Sequence, residues 1–538
     1  MRSKLMKKKL FSILIIIFLF QIPQAFTQSN YTSKKWELLD IPFEITVKSE
    51  NPLLVRFGAN LLHENGETMN IPGFYNDNNQ WIIRFCPPIT GKWAFTTYSD
   101  LPELSCKKGE ITVTENTDPN QHGPVMISEE NPKKFVYADG TPYFLLAFEL
   151  DWLFALDWDN PDGIPKTKQI ISTVGENGFN QIIMNVYAYD ASWGERDKIA
   201  PQHNYAQPNV FPFGGTNEQP DYTTLNIDFF KHLDRVIAHL NEKQIVSHLM
   251  IYVWNKKVNW PKSNSIADNL YFDYVVRRYQ AFPNLIWDIS KEALGYGHND
   301  MNYITQRIER LRKLDGHKRL LSVHDYAYCD AFPEKVDFIS IQDWRPNIYN
   351  IMLDVSKKHA KKPIFNIEHG GYEKTIYSIF DGAYTDRVAC LARNYECIFA
   401  GTYSTYYWQN TSWYNIIYDP FSLPEDQQPA FHYYKHLKTL FQNCNFNTLQ
   451  PTQYTFTTYC LTDNERVYMF YIPEEMIALQ GALPDARGKK VIARWYNPLT
   501  GKFVHTQDRE FKNGAWMHFR KPKLLEGGFA VVVLEVVN

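Results

Sequence analysis

The sequence lacks an excess of charge of either sign. Lysine and arginine together number 56 and aspartate and glutamate 59, so the formal net charge of the 538 residues is −3. Proteins that bind nucleic acid present a concentrated basic field, and this composition shows none. Nucleic acid is therefore not an expected partner.

Cysteines are few and form no metal-binding motif. The seven are scattered without any C-x-x-C or Cys/His cluster, so we expect no structural zinc, and nothing in the sequence calls for a cofactor. Cys86 and Cys106 fall in one candidate domain, and Cys444 and Cys460 fall in another. Either pair is a candidate disulfide, and free buried thiols are the alternative.

Long hydrophobic runs are scarce, and the run at the N-terminus is short for a membrane span. Residues 1–9 are basic, residues 10–20 form an apolar run, and small residues precede a predicted cleavage before Gln28. This order is typical of a secretory signal peptide over residues 1–27. No cysteine lies near the cleavage point. We therefore expect an exported chain, periplasmic or secreted, with no lipid anchor and no membrane span after cleavage.

Aromatic side chains are abundant, at 15% of the residues, with 14 tryptophans and 34 tyrosines. Two explanations fit this abundance. One is large cores in a β-rich protein, and the other is carbohydrate binding, in which sugar faces stack on aromatic rings. The chain is too long for a single core, so we expect about two to four domains.

Short alternating strands with turn residues between them fill both ends of the chain. Residues 80–85 and 491–496 are examples, and such runs are typical of antiparallel sheets. We predict a β-sandwich over residues 28–120 and a second one over residues 450–538. Neither region carries a catalytic acid/base set. For the first, a supporting role is favoured over an independent sugar-binding module.

Strands and helical patterns alternate between these two regions. Eight apolar strands can be counted in residues 133–445, which predicts an α/β fold: a (β/α)₈ TIM barrel flanked by N-terminal and C-terminal β-sandwiches. The C-terminal ends of the strands form the active-site face of such a barrel. The loop of residues 191–222 after strand two is long, and we expect it to build part of a substrate cleft.

Two of the eight strands end in a glutamate. Residues 284–292 end at Glu292 after strand four, and residues 363–368 end at Glu368 after strand seven. Retaining glycosidases need a carboxylic acid and a nucleophilic carboxylate roughly 5–5.5 Å apart, against roughly 6.5–9.5 Å in inverting enzymes. We predict Glu292 as the acid/base, with a raised pKa, and Glu368 as the nucleophile.

Other polar and aromatic residues follow the strands and are candidates for substrate contacts. His324 and His369 also invite a metal hypothesis, which the sequence does not favour because no third ligand is suitably placed. The remaining candidates are Asp151, Trp152, Asn185, Tyr187, Trp254, Lys291, Asp343, Trp344 and Trp408.

These features resemble a known family. Residues 137–142 (YADGTP) open the barrel, residues 495–501 (WYNPLTG) lie in the tail, and the two glutamates follow strands four and seven. The chain resembles the clan of retaining glycoside hydrolases with this arrangement. Its three-part layout is similar to bacterial polysaccharide-utilisation enzymes that join an apiosidase-like barrel to an N-terminal sandwich and a collagen-binding-like C-terminal β domain. The resemblance implies a secreted glycosidase acting on a carbohydrate.

Lys291 departs from the pattern of that clan. The clan usually has asparagine immediately before the acid/base, where it binds the sugar 2-hydroxyl, and this chain has lysine. Two interpretations remain: a cation that serves an altered or anionic sugar, or a side chain that points into the structure, which is favoured.

Two alternatives compete with this prediction. The first is an inverting hydrolase or a transglycosylase on the same fold, with Asp325 or Asp343 as the working carboxylate. The second is a catalytically silent carbohydrate-binding or adhesion protein that keeps the barrel as a scaffold, and the intact glutamates argue against it. The sequence predicts neither the sugar nor the oligomeric state.

Overall fold

The structure is a computed structural model that describes residues 29–46, 49–192, 196–297, 300–372, 374–379, 383–483, 487–510 and 516–537. The predicted signal peptide, residues 1–27, lies outside these ranges. Within them, no helix combines the length and apolar character needed to cross a bilayer.

The N-terminal region consists of two facing β-sheets. In their strands buried and exposed side chains alternate. In the strand that holds Trp93 and Phe95, both rings point into the core, whereas Lys92, next to Trp93, is exposed. One sheet has the order β1-β8-β7-β3-β4, and the other has the order β2-β6-β5. The strands are β1 (Ser29–Lys34), β2 (Leu39–Glu44), β3 (Phe57–His63), β4 (Thr68–Pro72), β5 (Phe74–Tyr75), β6 (Gln80–Phe85), β7 (Gly91–Ser99) and β8 (Lys108–Thr114).

A small sheet leads into the barrel. Strand β9 (Val125–Ile127) pairs with β10 (Phe135–Tyr137), and the backbone N–H of Phe135 donates to the Tyr403 hydroxyl at 3.2 Å. Tyr403 is the first residue of the eighth barrel strand. The small sheet therefore lies at the N-terminal ends of the barrel strands.

Eight parallel strands form the barrel predicted from the sequence. Almost all of their residues are buried, which is why they appear in the sequence as continuous apolar runs. A hairpin, β13–β14, lies in the long loop after the second barrel strand. The strands of this region are β11 (Leu146–Glu149), β12 (Gln181–Asn185), β13 (Phe213–Gly215), β14 (Pro220–Leu225), β15 (Val246–Val253), β16 (Leu285–Lys291), β17 (Leu321–His324), β18 (Ile339–Gln342), β19 (Ile364–Glu368) and β20 (Tyr403–Tyr406).

The barrel ladder is continuous except between β17 and β18. Its order is β17-β16-β15-β12-β11-β20-β19-β18. Across the gap, the Asp337 N–H donates to the Leu321 carbonyl at 2.8 Å, and the hydroxyls of Ser322 and Ser340 lie 2.8 Å apart. These bonds join the two strands and nearly close the barrel.

Helices cover the outside of the barrel. In the second of them the buried stripe predicted from the sequence is confirmed: Phe230, Leu233 and Val236 are fully buried, and the Asn226 side chain caps the helix by accepting from the Phe229 N–H. The helices are α1 (Pro165–Glu176), α2 (Ile227–Glu242), α3 (Ile266–Tyr279), α4 (Met301–Leu314), α5 (Tyr326–Ala331), α6 (Ile348–Lys358), α7 (Arg387–Phe399) and α8 (Phe431–Asn443).

The C-terminal region is again all β. A six-stranded antiparallel sheet has the order β21-β22-β23-β28-β25-β26, and β24 pairs with β27. Asn497 ends β25 and its side chain accepts from the Leu499 N–H at 2.9 Å, which forms the predicted hairpin turn. The strands are β21 (Gln450–Thr452), β22 (Tyr459–Thr462), β23 (Val467–Ile472), β24 (Ala478–Ala482), β25 (Lys490–Asn497), β26 (Lys502–Glu510), β27 (Trp516–Arg520) and β28 (Ala530–Val537).

All seven cysteines lie in described parts of the chain and carry free thiols. Cys86 is buried and Cys106 is exposed, whereas Cys460 is buried and Cys444 half-buried. Of the two possibilities that the sequence left open for these pairs, the structure therefore shows the free thiols.

Candidate active site

The two strand-end glutamates face each other across the barrel mouth. Glu368 is the last residue of β19, and Glu292 directly follows β16. One carboxylate oxygen of each lies with a ring nitrogen of His324 in a group whose atoms are all within 4.8 Å of one another. Both carboxylates therefore reach the same small volume.

The backbone of Glu292 is unusual. Its φ is +56°, in the left-handed region that residues with a Cβ seldom adopt. Its N–H donates to the His324 carbonyl at 3.2 Å, which ties the end of β16 to the end of β17. Backbone conformations of this kind concentrate at functional sites.

An open cavity of about 610 Å³ lies at the C-terminal ends of the strands. This volume is in the ordinary range for small-molecule sites, roughly 300–1,000 Å³. Both glutamates line it together with three aromatic rings, which can offer stacking faces to a sugar. The lining residues are Glu292, Gly295, Tyr296, Asp325, Gln342, Trp344, Glu368 and Trp413.

The carboxyl of Glu292 has a pKa near neutral pH. Burial raises its pKa to about 7, and the negative charge of Glu368 adds to the rise, whereas Lys291 and Lys256 oppose it. The Asn255 amide donates to Glu292 Oε2 at 2.9 Å. A carboxyl with this pKa can donate a proton at neutral pH and take one back afterwards.

Glu368 has a different environment. Gln342 Nε2 donates to its Oε1 at 3.0 Å, and Lys291 Nζ lies 3.1 Å from its Oε2. His324 Nε2 is 3.9 Å from the same oxygen, and burial lowers the His324 pKa to about 3, so the imidazole is neutral at pH 7. One full cation and one amide donor therefore contact this carboxylate.

Lys291 points into the structure, beneath the cavity. Only 2% of its surface is exposed, and its ammonium forms ion pairs with Glu149 and Glu368, with Asp151 Oδ1 at 3.8 Å. Burial disfavours the ammonium, but the three carboxylates outweigh burial and hold the Lys291 pKa well above its usual value. Lys256 Nζ pairs with Asp151 Oδ2 at 2.9 Å. The ammonium of Lys291 is thus occupied by protein carboxylates.

The candidate metal-binding group in the structure consists of Glu292, His324 and Glu368, so the two glutamates, and not a second histidine, would join His324. His369 does not take part, since its Nε2 meets the Tyr384 hydroxyl at 2.7 Å. The ammonium of Lys291 already stands beside Glu368 and balances its charge. This donor set therefore fits an ammonium better than a divalent cation, which Lys291 would repel.

The structure brings some of the candidates for substrate contacts to the barrel mouth. Trp344 lines the cavity, His324 contacts the nucleophile candidate, and Asn185 donates to Asp151 Oδ1 at 3.2 Å. Asp151 in turn lies beside Lys291. Five of the eleven candidates, counting Lys291, thus line the cavity, contact Glu368 or belong to the polar network around Lys291.

The other candidates lie in packing or pair elsewhere, and as substrate contacts they stay predictions. Asp343 pairs with Arg345, and Trp254 stacks on Tyr252 with ring centroids 5.9 Å apart. Four more are at most 1% exposed: Trp152, Tyr187, His369 and Trp408.

Several residues of the site were not among the sequence candidates. Glu149 and Gln342 end barrel strands one and six, so the rule that found Glu292 would have found them too. Asn255 and Lys256 follow β15 by two and three residues. The cavity-lining aromatics Tyr296 and Trp413 lie in loops, where no sequence pattern indicates them.

Comparison with known proteins agrees with this architecture. The family described as "Apiosidase-like, catalytic domain" matches residues 129–447, and a domain of unknown function (DUF5060) matches residues 32–100. No curated protein matches the chain.

Solved structures share the fold. A protein from Bacteroides vulgatus ATCC 8482, provisionally named a glycoside hydrolase, has a TM-score of 0.75 at 17% identity and covers 94% of this chain and 100% of its own. A family 5 glycoside hydrolase from the same organism has a TM-score of 0.56 at 17% identity over 78% of this chain and 94% of its own. Identities this low show the fold alone.

The match to the apiosidase-like domain covers 319 of the 538 residues, more than half of the chain. It includes every barrel strand and both strand-end glutamates. The protein therefore belongs to the family of apiosidase-like catalytic domains and is a glycosidase.

Proposed function

We propose that this glycosidase is an exported enzyme that cleaves a glycan by a retaining double displacement, with Glu292 as the acid/base and Glu368 as the nucleophile. The observation that carries the proposal is the short distance between the two carboxylates, which have oxygens within 4.8 Å of each other. Retaining enzymes need roughly 5–5.5 Å between the carboxyl groups, and inverting enzymes need room for a water, roughly 6.5–9.5 Å.

In the first step Glu292 gives its proton to the glycosidic oxygen while Glu368 attacks the anomeric carbon. The bond between that carbon and the leaving oxygen breaks, and a covalent glycosyl–enzyme ester forms. In the second step the Glu292 carboxylate takes a proton from water, and the water oxygen displaces Glu368. Both glutamates return to their starting states, and the anomeric configuration is retained.

The environments of the two groups support these roles. Glu292 has a pKa of about 7 because it is buried, so it holds a proton in a large fraction of molecules at neutral pH. Glu368 lies against Lys291 and Gln342, which stabilise negative charge on it. One carboxyl with a raised pKa beside one carboxylate held by a cation is the pattern expected of an acid/base and a nucleophile.

The inverting alternative rests on Asp325 or Asp343. Asp343 is engaged by Arg345, which leaves it poorly suited as a base. Asp325 lines the cavity, and burial raises its pKa to about 7, so it is the stronger of the two. The variant Asp325→Asn tests it directly.

The experiment begins with a screen of plant, algal and host glycans, followed by NMR of the first product formed. Retention of the anomeric configuration is expected, and inversion would overturn the mechanism.

Glu368→Ala should lower kcat by at least about 10³-fold, and azide should restore turnover with an inverted glycosyl azide as the product. No hydrolysis across the panel by wild type and Glu368→Ala alike would favour the silent carbohydrate-binding alternative.

Export is part of the proposal and rests on the N-terminal sequence. The full chain should be processed near Gln28 and recovered outside the cytoplasm. Deletion of residues 1–27 should keep an active protein in the cytoplasm. Fractionation and N-terminal sequencing measure both results, and processing at another place or none at all would contradict the expectation.

A further inference from the structure

Five buried charged residues form one cluster that includes Glu368 of the catalytic pair: Glu149, Asp151, Lys256, Lys291 and Glu368, hereafter the Lys291 cluster. Their exposed fractions range from 0% to 5%. They come from or follow four different strands, β11, β15, β16 and β19. Burying so many charges costs free energy unless each is paired, so the pairing pattern indicates which carboxylate depends on which cation.

The pairing in the Lys291 cluster is uneven. Asp151 has its own cation, since Lys256 Nζ lies 2.9 Å from its Oδ2. Glu149 and Glu368 share one cation, Lys291, whose ammonium contacts both. Glu149 is fully buried, and burial raises its pKa well above the usual value although Lys291 opposes the rise. Lys291 is therefore the bridge between Glu149 and the nucleophile.

We propose that Lys291 is a positioning residue for the reaction: its ammonium links the Glu368 carboxylate to Glu149, balances its negative charge and holds it in place. The inference rests on the proposed function, which makes Glu368 the nucleophile. It assigns a role to the residue at which this chain departs from the clan. It also assigns Glu149 the role of the anchor that holds the ammonium beneath the cavity.

The position of Lys291 also suits both halves of the reaction. In the free enzyme Glu368 is negative and Glu292 is protonated. In the ester intermediate the charge of Glu368 is used in the new bond, and Glu292 has become negative. Lys291 interacts electrostatically with both carboxyls. One fixed cation thus balances the negative charge wherever it resides, and no additional proton has to enter the cluster.

The test uses the variants Lys291→Met, Glu149→Gln and the two combined. Lys291→Met leaves two buried carboxyls without a cation, which disfavours their charged forms. We expect kcat to fall about 100-fold with KM nearly unchanged, and the acidic limb of the pH profile of kcat/KM to move up by about one pH unit or more. Removing Glu149 together with Lys291 should recover about tenfold or more of kcat relative to Lys291→Met.

Two further variants separate charge from packing. Lys291→Arg keeps the charge and should hold the acidic limb near its wild-type position even where kcat falls. Lys134 is a matched control, since it is also 2% exposed but lies at the other end of the barrel, with its amine 3.2 Å from the Phe446 ring centre. Lys134→Met should leave the pH profile unchanged.

Thermal unfolding gives a readout that needs no activity. Without Lys291, no cation opposes the effect of burial on Glu149, so its pKa in the folded state, already well above the usual value, rises further. The stability of Lys291→Met should then fall as pH rises from about 4 to 8, more steeply than for wild type. Glu149→Gln in the same chain should flatten that fall.

An unchanged pH profile in Lys291→Met, or a double variant no better than Lys291→Met, would overturn the inference. So would parallel stability curves for wild type and Lys291→Met. Failure of the retaining mechanism itself would appear as inverted product or as full activity of Glu368→Ala. In either case the unfolding curves still decide whether Lys291 stabilises the charged forms of the buried carboxyls.

Discussion

At the scale of single residues, Glu292 and Glu368 are the same side chain in two different environments. Glu292 sits in a left-handed turn beside Asn255, and burial dominates its pKa. Glu368 ends a regular strand and contacts Lys291 and Gln342. The two environments differ in backbone conformation and in the neighbours, which come from other strands.

The pH profile of kcat/KM should lose activity as pH rises through about 7, because a general acid must carry its proton and the Glu292 pKa is about 7. Two cavity groups have this pKa, Glu292 and Asp325. With an aryl glycoside whose leaving group needs no protonation, Glu292→Gln should remain active and lose the basic limb. Asp325→Asn should keep that limb. If the basic limb disappears in Asp325→Asn instead, Asp325 is the general acid.

Glu292 should also lower the stability of the protein at high pH. Its folded pKa of about 7 exceeds the ordinary value of 4.5, so the stability that its protonated form provides is present below about pH 4.5 and is lost as pH rises through 7. Glu292→Gln should therefore be more stable than wild type at pH 8, by up to about 3 kcal/mol, and equal to it at pH 4. Thermal unfolding at both pH values measures this.

The matched control for that measurement is Glu309→Gln on α4. Glu309 is half exposed and pairs with Lys335 at 2.9 Å, and this pair lowers its pKa. Its neutralisation should not stabilise the protein at pH 8. Equal stabilisation by both variants would mean that overall charge, and not burial of Glu292, sets the pH dependence.

At the scale of elements, the ends of β19 and β20 are held together at a glycine. Gly370 has a φ of +144° and pairs with Tyr407, and a Cβ at this position would lie 2.4 Å from the Tyr407 carbonyl oxygen. The neighbouring His369 carbonyl accepts from the Tyr407 N–H at 2.9 Å. Gly370 thus permits the close approach of the two strands just beyond Glu368.

Gly370→Ala should lower stability by about 1–3 kcal/mol and lower kcat, because the strand end that carries Glu368 has to shift. Gly528→Ala is the control, since a Cβ there would meet nothing within 4 Å. Unfolding curves and kcat measure the two effects. Wild-type values for both properties in Gly370→Ala would show that the strand ends adapt freely.

At the scale of the whole molecule, a buried ion cluster joins the N-terminal sheets to the barrel. Arg84 of β6 pairs with Asp40 at 2.8 Å and with Asp234 of α2 at 3.0 Å. Asp234 also pairs with Arg278 of α3 at 2.6 Å. The side chains of Arg84 and Arg278 are 5% and 1% exposed, so water does not solvate their charges and Asp234 neutralises them instead.

Asp234→Asn should destabilise the protein by about 3–5 kcal/mol, because it leaves a buried guanidinium without its carboxylate. The first effect should be loosening of the N-terminal sheets, seen as faster hydrogen exchange of their amides. Asp228→Asn on the same helix is the control: its side chain is 80% exposed, and its contact with Lys231 is a surface pair. Equal unfolding temperatures for the two variants would contradict the assigned role of the cluster.

The sequence by itself determined the eight barrel strands and the placement of Glu292 and Glu368 at strand ends. Buried parallel strands are continuous apolar runs, and turns and helix caps use local residue preferences, so these features are visible in short windows of sequence. The aromatic walls of the cavity were not visible, because Tyr296 and Trp413 lie in loops without a periodic pattern.

Only the tertiary structure decided which charges meet. Lys291 contacts Glu149 across 142 residues of sequence, and Gln342 contacts Glu368 across 26. Such partners are set by the closing of the barrel, which brings strand ends together regardless of their separation along the chain. The sequence left two interpretations of Lys291, and burial against three carboxylates selected the one in which its side chain points into the structure.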